Sequence, residues 1–128
     1  MMKTILVIDD NRDTLDILEA IISGMDLNVV TSPDVIPVSK IHKLNPALVI
    51  LDHWLPSGYG GDYCLKIKTN PETKHIPVIL MSATLDISLV AREKCADVYL
   101  DKPFEVDDLE NLIKRFVPIA NEPFAAKI

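Results

Sequence analysis

Ala47-Leu48-Val49-Ile50-Leu51-Asp52 sets five apolar residues in a row and closes them with a carboxylate. A run this short, with Pro56 and Gly58 soon after it, reads as a strand buried on both faces, as in parallel sheets. Asp52 then stands at a strand's carboxyl end. In open α/β sheets that edge borders a crevice toward which helix N-termini point, so a polar group delivered there is placed for ligand chemistry.

Four further segments repeat the pattern. Thr4 to Ile8 ends in Asp9 and Asp10, Ile76 to Met81 ends at Ser82, and Val98 to Leu100 ends at Asp101-Lys102-Pro103. Asn28 to Thr31 is weaker and suits a place near the sheet edge. Helical spacing fills the intervals. From Asn11 as N-cap, a helix runs to Gly24. Its apolar residues (Leu15, Ile17, Leu18, Ile21, Ile22, Met25) cover roughly 160°. That arc is wider than one sheet-facing stripe, so Ile17 and Ile21 are expected to pack under a neighbouring helix, with a docking surface for a partner helix as the alternative. A second helix starts near Asp34, with Pro37 in its first turn, and stops at Asn45-Pro46. A third covers Gly61 to Thr69. A poorly marked fourth lies within Asp86 to Lys94, with Leu85, Leu89 and Val90 as contacts. The last runs from Glu105 to Val117, with Val106, Leu109, Leu112, Ile113 and Phe116 on one face. Strands alternating with helices five times give a five-stranded parallel sheet covered on both faces. Residues 1–117 form one domain, and 118–128 an irregular tail or the start of a linker.

A net charge of −6 over 128 residues implies no basic surface, so direct nucleic-acid binding is not expected. No apolar run reaches membrane-spanning or signal-peptide length, which points to a cytoplasmic protein. Cys64 and Cys95 match no metal-ligand spacing and are expected to be reduced and semi-buried. His42, His53 and His75 are expected at the surface or in loops. His53 adjoins Asp52, but neighbouring strand residues point to opposite faces.

The strand ends together carry Asp9, Asp10, Asp52, Ser82 and Lys102. Clustered carboxylates repel unless a cation joins them, and Mg2+ suits an oxygen-rich site that keeps several waters. With an ammonium and a hydroxyl beside them, they match what a transferring phosphoryl group needs: an in-line nucleophilic oxygen and positive charge on the equatorial oxygens. Asp52 alone would be read as a turn residue; the set reverses that reading.

Ile5-Leu6-Val7-Ile8-Asp9-Asp10, Leu51-Asp52 with Leu55-Pro56 and Gly60, Met81-Ser82-Ala83, and Tyr99-Leu100-Asp101-Lys102-Pro103-Phe104 together resemble the response-regulator receiver domain of two-component signalling, chemotaxis-regulator-like. The resemblance spans about Lys3 to Val117. It implies a flavodoxin-like, doubly wound sheet of order 2-1-3-4-5. It implies Asp52 as the phosphoacceptor, receiving a phosphoryl group from a sensor histidine kinase or histidine phosphotransfer protein. Asp9, Asp10, Asp52 and the backbone carbonyl of Trp54 would hold Mg2+, and Lys102 would pair with the phosphoryl group. Ser82 and Tyr99 would act as switch residues that alter the surface of the fourth helix, fifth strand and fifth helix toward a downstream protein target. Such a domain turns over its own phosphoryl group and is not an enzyme on external substrates.

Several positions depart from the family's pattern. Trp54 is bulkier than usual and, with Thr84, occupies a position that tunes the lifetime of the acyl phosphate. Cys95 replaces a Gly that ends the fourth helix, and the short interval from Ser82 to Lys102 predicts a truncated or mobile helix. Tyr59 replaces an acidic residue. Two other readings compete: a pseudo-receiver that interacts without phosphorylation, and a small Mg2+-dependent aspartyl-phosphate phosphohydrolase. The intact acidic set opposes the first. The second lacks an acid two residues after Asp52.

Overall fold

The structure, a computed structural model, describes residues 2–83 and 87–118. Its strands are β1 (Thr4–Ile8), β2 (Asn28–Ser32), β3 (Leu48–Asp52), β4 (Trp54–Leu55), β5 (Gly58–Tyr59), β6 (Val78–Ser82) and β7 (Val98–Asp101). Its helices are α1 (Arg12–Ser23), α2 (Val38–Leu44), α3 (Gly60–Thr69), α4 (Ile87–Glu93) and α5 (Val106–Phe116). Five strands form a parallel sheet in the order β2-β1-β3-β6-β7. Counting only these five, this is the expected 2-1-3-4-5.

The apolar runs alternate between two cores. Ile5, Val7, Leu48, Ile50, Ile79 and Met81 face α1 and α5, meeting Leu15, Leu18, Ile22, Leu109 and Ile113. Leu6, Ile8, Val49, Leu51, Val78 and Leu80 face the other way, onto Ile41, Tyr63, Cys64, Ile67 and Ala91. All five residues of β3 are buried. Continuous hydrophobicity in the sequence is thus alternation between two covered faces.

Helix boundaries follow local chemistry. Asn11 Oδ1 accepts the Thr14 N–H at 3.0 Å, the N-cap read from the sequence. Gly24 ends α1 in right-handed conformation, and the left-handed residue is Asp26, with φ 61°. α2 begins at Val38, later than expected, because Pro37 sits outside it at ψ 140°. A proline also turns the residue before it away from helix. Asp34 instead accepts the Val35 N–H at 2.8 Å and the Ser57 N–H at 3.3 Å, tying two loops together.

Some expected burials are reversed. Ile17 is 54% exposed and is not packed under a helix, whereas Ile21 packs at the core margin. Val106, the first residue of α5, faces solvent, and so does Leu89 of α4. Cys64 is fully buried and Cys95 exposed, so neither is semi-buried. Burial pushes the Cys64 thiol pKa up to about 12. His42 and His75 lie at the surface as expected, but His53 is buried. The described part of the fourth helix, α4, ends at Glu93, and Cys95 follows it at φ 64°. There the Ala96 N–H closes the helix on the Ala91 carbonyl at 2.9 Å. A left-handed residue at this point explains why a glycine would be favoured there.

Candidate functional site

The sheet ladder continues one residue beyond several strands and so places the polar groups side by side. The Asp9 N–H donates to the Ser32 carbonyl at 3.1 Å, and the His53 N–H to the Met81 carbonyl at 2.9 Å. On the other side the Lys102 N–H donates to the Ser82 carbonyl at 2.9 Å. Asp9, Asp52 and Ser82 are buried at this edge, and Asp10 is exposed beside them.

Lys102 joins the acids. Its Nζ lies 2.6 Å from Asp9 Oδ2 and 3.0 Å from Asp52 Oδ1. The remaining Asp9 oxygen accepts the Asn11 N–H at 2.9 Å, and Asp52 Oδ2 accepts the Trp54 N–H at 3.2 Å. Burial and then the Asp9 charge raise the Asp52 pKa above the ordinary carboxylate value, with Lys102 and the Trp54 N–H opposing them. For Lys102 burial alone would lower the pKa, but hydrogen bonds to Asp9 and Asp52 outweigh it and the value rises. The ammonium therefore stays charged.

Oxygens of Asp9, Asp10 and Asp52 lie within 4.8 Å of one another, the only such group of potential metal ligands among the described residues. Three carboxylates against the Lys102 ammonium leave excess negative charge, and all the donors are oxygens. This donor set fits a hard divalent cation such as Mg2+. Asp10 is the open member, since both Asp9 oxygens already accept hydrogen bonds within the protein.

After Asp52 the chain makes a two-stranded hairpin of β4 and β5. Trp54 pairs with Tyr59 and Leu55 with Gly58 around Pro56-Ser57. Pro second and Gly fourth in Leu55-Pro56-Ser57-Gly58 suit a tight turn. The turn is held by Ser57, whose hydroxyl donates to Asp34. Gly60 follows, and only glycine fits: a Cβ there would collide with the Asp52 carbonyl oxygen and lie 2.8 Å from its carbon and 2.9 Å from His53 Cα.

Tyr59 now has an account. Its ring stacks on His53 at 5.3 Å and 16°, and Trp54 meets both rings edge-on at 5.2 and 5.3 Å. Trp54 and Tyr59 remain about half exposed. His53 was missed as part of this arrangement. Strand alternation does send it to the face opposite Asp52, but it is the hairpin and the start of α3 that cover that face. Burial lowers the His53 pKa, with Asp62 opposing and Lys94 assisting, so the ring is neutral and Nδ1 can accept a hydrogen bond.

Ser82 is buried at the end of β6, opposite Asp101. Tyr99 is not near the acids: it is 41% exposed on the edge strand β7, in a groove of about 520 Å³ shared with Asp101, Phe104, Asp108, Leu112 and Arg115. Thr84 lies outside the described residues, as does Leu85. The structure thus brings Asp9, Asp10, Asp52 and Lys102 together, with Ser82 one strand away and Tyr99 at the sheet's edge.

The model of the response regulator receiver domain matches residues 5–114. The chain is 30% identical over 117 residues to protein PilG of Pseudomonas aeruginosa, covering 89% of this chain and 87% of that one. A putative response regulator from Chloroflexus aurantiacus superimposes with a TM-score of 0.82 at 29% identity, covering 91% and 98% of the two chains. The receiver domain of sensor histidine kinase PA1611 from P. aeruginosa, solved with a magnesium ion coordinated in its active-site cleft, gives 0.77 at 23% identity, covering 91% and 98%; at that identity it shows the fold alone. The chain spans only 8% of histidine kinase P4 of Formosa agariphila, to which it is 30% identical over 118 residues. It spans about half of the probable transcriptional regulators ycf27 of Cyanophora paradoxa, Porphyridium aerugineum and Guillardia theta. Among the described residues no helix is long and apolar enough to cross a membrane. With the family model matching most of its length, and the strand order and acidic strand ends in place, the chain belongs to the response regulator receiver domain family.

Proposed function

We propose that Asp52 accepts a phosphoryl group from a phosphohistidine of a sensor histidine kinase or histidine phosphotransfer protein, and that the acyl phosphate switches the surface formed by α4, β7 and α5. The observation that carries this reading is the Lys102 ammonium bridging buried Asp9 and Asp52, with Asp10 open beside them.

In this reading an Asp52 oxygen attacks phosphorus, the P–N bond breaks, and its electron pair stays on the imidazole nitrogen, which leaves as neutral imidazole once protonated. Asp9, Asp10, Asp52 and the Trp54 backbone carbonyl would hold Mg2+, which when bound offsets negative charge on the phosphoryl oxygens. Lys102, already charged and 3.0 Å from Asp52, gives the phosphoryl group a cation without long-range rearrangement. Ser82 turns its hydroxyl to a phosphoryl oxygen, and Tyr99 changes rotamer at β7. An added phosphoryl group brings charge and strong acceptors, and so biases two arrangements of one surface. The downstream target is a protein, bound without direct nucleic-acid contact by this domain, in the cytoplasm. Trp54, about half exposed beside Asp52, and Thr84 tune the lifetime of the acyl phosphate, Trp54 by shielding it from water.

The test is intact-mass spectrometry after incubation with acetyl phosphate and Mg2+. One added phosphoryl group, Mg2+-dependent and absent in Asp52→Asn, is the expected result. An unmodified wild type, under conditions that modify a known receiver, would favour interaction without phosphorylation.

A further inference from the structure

His53 is buried directly after Asp52, and the chemistry above leaves it unused. Its contacts are specific. Nδ1 accepts the Gly61 N–H at 3.2 Å, the His53 carbonyl accepts the Gly60 N–H at 2.6 Å, and the ring stacks on Tyr59 and meets Trp54 edge-on. A Cβ on Gly61 would come within 3.2 Å of His53 Nδ1 and 3.0 Å of Lys94 Cγ, so the packing around this ring is tight. One residue further, Asp62 pairs with Lys94 at 2.9 Å, just past the end of α4. Contacts thus run from the strand end that bears Asp52, through the imidazole, to the start of α3 and the end of α4.

We propose that His53 is a positioning residue: by holding the Gly61 N–H on Nδ1 and stacking on Tyr59, it fixes the β4–β5 hairpin so that the Trp54 N–H stays on Asp52 Oδ2 and the indole keeps its place beside the strand end. This rests on Asp52 being the phosphoacceptor. His53 then sets how long the acyl phosphate survives without touching it. Next to it, the Asp62–Lys94 pair ties the start of α3 to the residue just past α4, separately from Ser82 and Tyr99.

The test uses the full chain. After phosphorylation with acetyl phosphate and Mg2+, the donor is removed and loss of the adduct is followed by mass. Trp54, the one tryptophan in the chain, reports on the hairpin through its emission, before and after Mg2+ is added. His53→Phe keeps a ring but removes the acceptor; His53→Asn restores an acceptor near the Nδ1 position. The expected result is phosphoryl loss roughly two- to tenfold faster in His53→Phe, the span that one hydrogen bond can supply, with shifted Trp54 emission. His53→Asn recovers toward wild type. Equal lifetimes and emission in wild type and His53→Phe overturn the inference, as does a His53→Asn adduct lost as fast as that of His53→Phe. If His53→Phe does not fold, Tyr59→Leu, at an exposed position, serves instead: a faster loss supports the stack and an unchanged one overturns it. A wild type that takes no phosphoryl group overturns the phosphoacceptor reading; in that case unchanged emission in His53→Phe overturns the positioning role too.

Discussion

All five residues of β3 are buried, whereas β7 has four residues and buries only Leu100. The helix that follows β1 has 12 residues, a side-chain N-cap and three buried leucine or isoleucine residues. The helix before β7 has seven residues, exposes Leu89, and ends on a cysteine held at φ 64°. The central strands β1 and β3 thus carry the three acids at the ends of buried runs, whereas the edge strand β7 and the helix before it are packed lightly. The difference suits a switch: chemistry needs groups held to a fraction of an ångström, while a response needs an element whose arrangements differ little in energy.

Breaking the charge cluster at the strand ends should cost most. Lys102→Met leaves Asp9 and Asp52 facing each other without their ammonium, and a loss of about 3 kcal/mol in unfolding free energy is expected near neutral pH. The sign with pH is specific: Asp52 has a raised pKa in the fold, so its ionised form is the disfavoured one. The variant's deficit therefore shrinks as pH falls and Asp52 takes up a proton. Urea titrations at several pH values would show it, and a pH-independent deficit would contradict the electrostatic account.

Gly60→Ala comes next. Its methyl group has only the Asp52 and His53 backbone to displace, so about 2–3 kcal/mol should be lost, together with phosphoryl uptake. Circular-dichroism melts and the mass assay would report both. On the lightly packed side the signs and sizes change. Cys95→Gly relieves a left-handed non-glycine residue and should gain about 1 kcal/mol, read from the same melts. Leu89→Ala, at a residue 46% exposed, should stay within about 0.5 kcal/mol, whereas Leu18→Ala in the buried stripe of α1 should cost about 2–5. Similar costs at Leu89 and Leu18 would erase the distinction between the buried core and the rim at α4.

The strands, their parallel direction and the acids at their ends were legible because buried parallel strands write continuous apolar runs, and a carboxylate closing such a run has few structural reasons to be there; the order 2-1-3-4-5 came only from the resemblance to the receiver family. Asn11 as a cap was legible for the same kind of reason. Other features depend on what lies opposite in space. Ile17 has helical spacing but remains 54% exposed. Val106 shares the face of Leu109 and Ile113, yet it begins the helix and lies beyond the core. Pro37 could open a helix at Asp34 on spacing alone, but the Asp34 carboxylate is drawn to Val35 and to Ser57, 23 residues away. His53 points away from Asp52 as alternation requires, and only the hairpin decides that it is covered. Of the candidate site, Asp9, Asp10, Asp52 and Lys102 come together as expected, and Ser82 lies one strand away. Tyr99 stands apart on the edge strand β7.

The contrast between the central strands and the lightly packed rim is tested most directly by hydrogen–deuterium exchange on the full chain, with and without phosphorylation by acetyl phosphate and Mg2+. The account predicts that β1 and β3 are slow in both states, and that exchange changes on phosphorylation chiefly in α4, β7 and the start of α5. Unchanged exchange in α4 and β7 while β1 and β3 respond, or a uniform change across the sheet, would contradict it.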